Sequence, residues 1–162
     1  MKTIKVNPLD KRSVNNAIKQ IEAYKRNLMG EKCNKFVRRL AEKGYEIAKA
    51  DFKAAKYDGD NDVTVNISGD GSSLKIVANG KAVCFIEFGA GVARGGGYPD
   101  DRKPDGIVGL GQFGKGHGAT GKPWYYAHGK MTDGNPPAMA MLRARDTMVE
   151  EITQIAREVF GK

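Results

Sequence analysis

The residues best able to do chemistry lie in one glycine-rich stretch and on its borders. Gly116-His117-Gly118-Ala119-Thr120-Gly121-Lys122 matches the opening positions of a phosphate-binding loop. Such a loop cradles phosphate on backbone N–H groups, uses a following Ser or Thr to hold magnesium, and ends on a helix N-terminus. Pro123 and a strand-like aromatic run follow instead, so the hydroxyl and the helix are both missing. Gly89-Ala90-Gly91 after an apolar run suggests a dinucleotide turn, but Arg94-Gly95-Gly96-Gly97-Tyr98-Pro99 cannot form the helix that turn requires. Asp58-Gly59-Asp60-Asn61-Asp62 resembles the start of a calcium loop, yet Val63 stands where glycine is needed and Gly69 where glutamate is needed. It reads as a solvated turn. His117 and His128 are the only histidines, and neither has a Cys, Asp or Glu at ligand spacing. Glu87, between Ile86 and Phe88, is the one acid inside an apolar run. A half-buried carboxylate there needs a partner, an arginine or a row of backbone N–H groups. No second catalytic group accompanies it, so the expectation is a protein without catalytic residues, metal or cofactor.

The elements that must position these residues are legible from periodicity. Asn7-Pro8 reads as a helix start, with Asn7 as cap and Pro8 as first helical residue. Val14, Ala17, Ile18, Ile21 and Leu28 then define one buried helical face, which Gly30 ends or bends. From Glu31 the period resumes through Cys33, Phe36, Val37, Leu40, Gly44, Ile47 and Ala48 to about Tyr57-Asp58-Gly59. Lys32, Lys35, Arg38, Arg39, Lys43, Lys49, Lys53 and Lys56 fall on the opposite face of that second helix. This is a solvated face, or a contact for an acidic partner or DNA through Lys35, Arg38, Arg39, Lys49 and Lys53. Asp62 to Ser68 alternates with period two, Gly69-Asp70-Gly71-Ser72 turns, and Leu74, Ile76 and Ala78 alternate again, which predicts a hairpin. Ala82 to Phe88 is a short buried strand or a short helix. Trp124-Tyr125-Tyr126-Ala127 reads as a strand, and Thr132-Asp133-Gly134-Asn135-Pro136-Pro137 as a break. Pro137 opens a last helix whose Met141, Leu142, Met148, Val149, Ile152, Ile155, Ala156, Val159 and Phe160 share one face.

This order predicts one α+β domain over residues 1–162, an antiparallel sheet packed by two N-terminal helices and a C-terminal helix. A flexible glycine-rich loop, 89–122, leaves it. A connection that long cannot build its own core and is usually functional or disordered. Its charges nearly cancel, with Arg94, Arg102 and Lys103 against Asp100, Asp101 and Asp105, which argues against a DNA clamp. Trp124, Tyr125 and Tyr126 beside Lys122 have the chemistry to stack on bases, but read first as aromatics pinning the loop's end.

Composition limits the class. The net charge is +8, and all of the excess lies in residues 1–57, where fifteen Lys/Arg meet six Asp/Glu. Such an excess attracts phosphate or acidic protein surfaces, or only maintains solubility. No run of about 18 apolar residues is present, so no membrane span is expected. The first residues lack a signal peptide's apolar stretch, so the expected site of synthesis is a cytoplasm. Cys33 and Cys84, both in apolar patterns, read as two buried thiols.

Phe85-Ile86-Glu87-Phe88-Gly89-Ala90-Gly91, a variable glycine-rich segment, an aromatic strand, a Thr-x-Gly-x-x-Pro break and an amphipathic C-terminal helix follow one another here. In that order they resemble the phage tail-component family of the Hong Kong 97 type, which groups with tail-completion and head–tail joining factors. The resemblance runs from the second helix to the C-terminus. Ala90 stands where that family usually has threonine, and Ala138-Met139 where an aromatic is common. The resemblance implies a late virion protein without a catalytic centre, sited in the tail or neck and assembled in the host cytoplasm. Implied partners are other phage structural proteins (connector, tail terminator or tail tube), further copies in a ring, and DNA through non-specific contact. It also implies an interface loop and its root, carried by Glu87, Phe88, Gly89, Gly91, Arg94, Tyr98, Arg102, Trp124 and Tyr125. The rival readings are a nucleic-acid-binding module using the basic second helix, and an ATP-binding enzyme using the imperfect phosphate loop.

Overall fold

The fold is taken from a computed structural model that describes residues 3–90, 98–102, 124–125, 131–132 and 134–161. It is an α+β fold. Helix α1 (Lys11–Asn27) passes through a π-helical segment (Leu28–Lys32) into α2 (Cys33–Ala54). A hairpin of β1 (Thr64–Asp70) and β2 (Ser73–Asn79) follows, then the short helix α3 (Val83–Phe88). A one-turn 3-10 segment (Asp100–Arg102), β3 (Trp124–Tyr125), β4 (Met131–Thr132) and α4 (Ala140–Phe160) complete the order.

The first helix starts later than Asn7-Pro8 suggests. Asp10 is the cap, its carboxylate accepting from the backbone N–H of Arg12 at 3.0 Å and of Ser13 at 3.2 Å. Asn7 instead closes a turn around Pro8, with Oδ1 accepting from Leu9 N–H at 3.1 Å. Gly30 does not break the chain. Asn27, Leu28, Lys32 and Cys33 all keep right-handed helical angles, so Lys11 to Ala54 is one continuous helix. At 1.5 Å per residue it is roughly 65 Å long. The expected buried face of α1 is not buried: Ala17 is its only buried residue, and Ile18 and Ile21 are exposed.

The rest packs around the α2–α4 pair, which runs antiparallel. Phe36 meets Phe160 with ring centroids 5.6 Å apart, and Arg39 reaches Glu158 at the same end. Lys43 then pairs with Glu151, and Arg143 with Asp51 at the other end. Small residues allow close approach: Gly44 lies under Met148 and Ile76, and Ala48, Ala140 and Ala144 are buried in the core with Phe52, Val65, Ala82 and Ile86. Ile86 is fully buried, which contributes about 1.5–3 kcal/mol. On α4's predicted apolar face, Leu142, Ile155 and Val159 are buried, whereas Val149 and Ile152 are exposed.

The hairpin pairs in register from Thr64 opposite Asn79 to Asp70 opposite Ser73. Gly69 (φ 108°) and Gly71 (φ 51°) provide the positive angles that its tight end demands. Among the described residues the sheet has two strands, and α2 contacts both. A separate short pair sets Trp124 opposite Thr132 and Tyr125 opposite Met131.

Candidate functional site at the root of the glycine-rich segment

The stretch Ala82 to Phe88, open to either reading from its periodicity, is the helix α3. Asp62 sets its start. That carboxylate accepts from the N–H groups of Lys81 at 2.8 Å and Ala82 at 2.9 Å. These bonds hold its pKa below the ordinary aspartate range. Asn61 donates from Nδ2 to the Phe52 carbonyl at 2.8 Å, which fixes the end of α2. Asp58 accepts from the Thr132 hydroxyl at 2.8 Å, and that hydroxyl oxygen in turn accepts from Gly134 N–H at 3.0 Å. The acidic turn expected to be merely solvated thus ties three parts of the chain together.

A helix leaves its last carbonyls and its first N–H groups without partners inside the helix. Here two helix ends satisfy one another. The Phe85 carbonyl accepts from Asn135 Nδ2 at 2.9 Å, that of Ile86 from Ala138 N–H at 2.8 Å, and that of Glu87 from Met139 N–H at 3.2 Å. In return the Glu87 carboxylate caps α4, which has no capping side chain of its own. Its Oε2 accepts from Met141 N–H at 3.0 Å and its Oε1 from Leu142 N–H at 3.2 Å. The Tyr98 hydroxyl adds a bond to Oε1 at 3.3 Å. The row of backbone N–H groups that a buried glutamate called for is therefore the first turn of α4. The residue before that helix is Met139, in the left-handed region at φ 54° and ψ 32°. That turn, and not Pro137, sets the helix start at Ala140.

Gly89 leaves α3 at φ 76° and ψ 168°, a region essentially reserved for glycine. Ala90 and Asn135 then form an antiparallel bridge, with N–H···O distances of 3.0 and 2.9 Å. Positions 90 and 135, forty-five residues apart in the chain, thus lie side by side. Phe88 and Tyr98 stack edge to face at 4.9 Å between centroids and are buried with Leu142. Arg102 Nη1 reaches both carboxylate oxygens of Asp146 on α4, at 2.9 and 2.6 Å.

Burial raises the Glu87 pKa even though the N–H groups of Met141 and Leu142, the Tyr98 hydroxyl and the nearby Ala140 N–H pull the other way. The same surroundings, with the Glu87 charge nearby, push Tyr98 up to about 12. Burial also raises the Cys84 thiol. Both cysteines are free and only partly buried, not fully so as expected. At 3% exposure, with both oxygens engaged, Glu87 acts as a structural acceptor joining α3 to α4. Among the described residues no group of three or more His, Cys, Asp or Glu is placed to hold a metal ion. No described helix is long and apolar enough to cross a membrane.

Of the expected loop-root residues, Glu87, Phe88, Gly89 and Tyr98 come together, and Arg102 is tied to α4. Trp124 and Tyr125 form the short strand β3. Gly91, Arg94, the stretch Gly116–Lys122 and both histidines lie outside the described residues. Asn135, Asp58 and Asp62 stand in segments that the sequence marks only as turns or breaks, and their bonding roles are not legible there because each bonds to a residue distant in the chain. On the basic helix, Lys35, Arg38, Lys49 and Lys53 are exposed. Arg39 and Lys43 instead turn toward α4 and pair with Glu158 at 2.7 Å and Glu151 at 3.0 Å. This corrects the expectation of one uniform outward basic face. Lys49 accompanies the Tyr45 hydroxyl at 2.9 Å, and with Lys53, Phe52, Asn61 and Asn66 it lines an open groove of about 600 Å³.

No family model, no curated protein and no solved structure matches this chain.

Proposed function

We propose that this chain is a bacteriophage virion structural protein, used in tail completion or head–tail joining, that works through subunit interfaces without catalysis. The observation that supports this best is the reciprocal capping of α3 and α4 around Glu87 and Asn135. It fixes the point where the glycine-rich segment leaves α3, and it engages Glu87, the one acid buried among the described residues. In this reading the glycine-rich segment is the contact that a neighbouring subunit grips at assembly. Its partners in this reading are the connector, tail terminator or tail tube proteins and further copies in a ring, within the tail or neck of the virion.

Two experiments test it. Deleting the gene from its phage should leave heads and tails unjoined, and fully joined infectious particles would sink the reading. Shortening Gly95 to Gly118 should leave the body folded by circular dichroism while assembly fails.

A second reading, a nucleic-acid-binding module, draws on the groove where Lys49 and Lys53 sit beside Asn61 and Asn66. It requires DNA affinity that falls steeply with added salt and weakens in Lys49→Ala, Lys53→Ala. An absence of binding at low salt removes it.

A further inference from the structure

α1 carries a patterned apolar stripe that lacks extensive packing on any other described element, although Ala17 within it is buried. The only element it adjoins extensively is the π segment that continues it. Ile18, Ile21 and Tyr24 are 48%, 55% and 62% exposed. An isolated helix of this length is marginal in water, and most helical stability in proteins comes from packing an amphipathic face. The stripe is also ordered more strictly than a general amphipathic face. Val14, Ala17, Ile21, Tyr24 and Leu28 alternate spacings of three and four, the seam of a two-helix coiled coil.

The residues beside that seam decide what kind of helix it fits. In coiled coils the flanking rows set partner choice by charge. Here one flank is Ser13, Gln20 and Asn27, all uncharged, and the other is Ile18 and Lys25. The cations Arg12, Lys19 and Arg26 form the row farthest from the seam. An acidic partner helix would find a single lysine to pair with. An identical helix would meet almost no like charge across the seam. In an antiparallel pair centred on Ile21, Val14 faces the partner's Leu28, so both ends of the seam close apolar against apolar. The seam is short, so the association is weak and depends on concentration.

We infer that the Val14–Leu28 stripe of α1 is an interface between two copies of this chain, packed antiparallel as a short coiled coil. This inference is independent of the phage reading and of the glycine-rich segment.

The test is analytical ultracentrifugation of the full chain from low to high micromolar concentration. A monomer–dimer equilibrium is expected. Ile21→Asp should weaken dimerisation about tenfold or more, because it places a charge in a dehydrated seam. Ile21 is exposed in the single chain, so the variant should keep its helical content by circular dichroism. Val149→Asp, at an exposed apolar position of α4, should leave the dimer unchanged. A chain that is monomeric at every concentration overturns the inference. So does association that survives Ile21→Asp, or that is lost in Val149→Asp alone. Association that appears only after residues 103–122 are deleted would show that the chain's own segment occupies the seam, and that too overturns it.

Discussion

At position 87 a carboxylate persists in the core because three donors converge on it, two from the first turn of α4 and one from Tyr98. Glu87→Ala would orphan those donors in a buried site, and we expect a loss of about 2–4 kcal/mol in urea unfolding. The acid also links stability to pH. Its folded pKa lies above the ordinary value of 4.5, so the folded chain holds the proton more tightly than the unfolded one. Its contribution is therefore most favourable below pH 4.5 and declines as pH rises through the folded value. Glu87→Gln should flatten that part of the stability–pH profile, and an unchanged slope would assign it to another group. Gly89 is constrained differently. A Cβ there would lie 2.7 Å from Pro137 N and 2.9 Å from Asn135 O, with a φ that L residues avoid. Gly89→Ala should cost about 1–3 kcal/mol, measured as a lowered unfolding midpoint.

Single elements here are closed by partners of two kinds. α1 is capped locally by Asp10, and Asp10→Ala should remove about 0.5–2 kcal/mol of local helix stability. That loss should appear as faster amide exchange in the first turn of α1, with the global unfolding midpoint nearly unchanged. α4 is capped by a residue far away in the chain, so its start could not be read from its own flanks, where Pro137 is the natural signal. Between α2 and α4 the ion pair of Arg39 with Glu158 is about half exposed on both sides. Such pairs contribute roughly 0–1 kcal/mol, so Arg39→Ala should change stability by less than that. A larger loss would mean that the Arg39 stem packs on Phe36 and Phe160.

Taken as a whole, the molecule is a body built on α2, the hairpin, α3 and α4, with α1 extending beyond it. Because α1 has no extensive packing on that body, a chain beginning at Glu31 should unfold at nearly the same temperature as the full chain. A fall of more than about 4 °C in a calorimetric scan would show that α1 belongs to the cooperative unit. The charge asymmetry does not follow this division, since the basic residues spread over both α1 and α2.

Periodicity determined the long helices, the hairpin and the α+β class, because repeats of 3.6 and 2 record which side of an element must avoid water. It also marked Glu87 as a residue in need of a partner, since a carboxylate in an apolar run has a desolvation cost visible without coordinates. Only the tertiary structure decided that the partner is the start of α4, that Ala82–Phe88 is helical, and that Asn135 closes the root. Those outcomes depend on donors and acceptors that meet across some fifty residues of chain. The apolar stripe of α1 shows the same limit from the other side. A pattern records that a face must be covered, whereas the neighbour that covers it is settled by where the other elements, or another chain, come to lie.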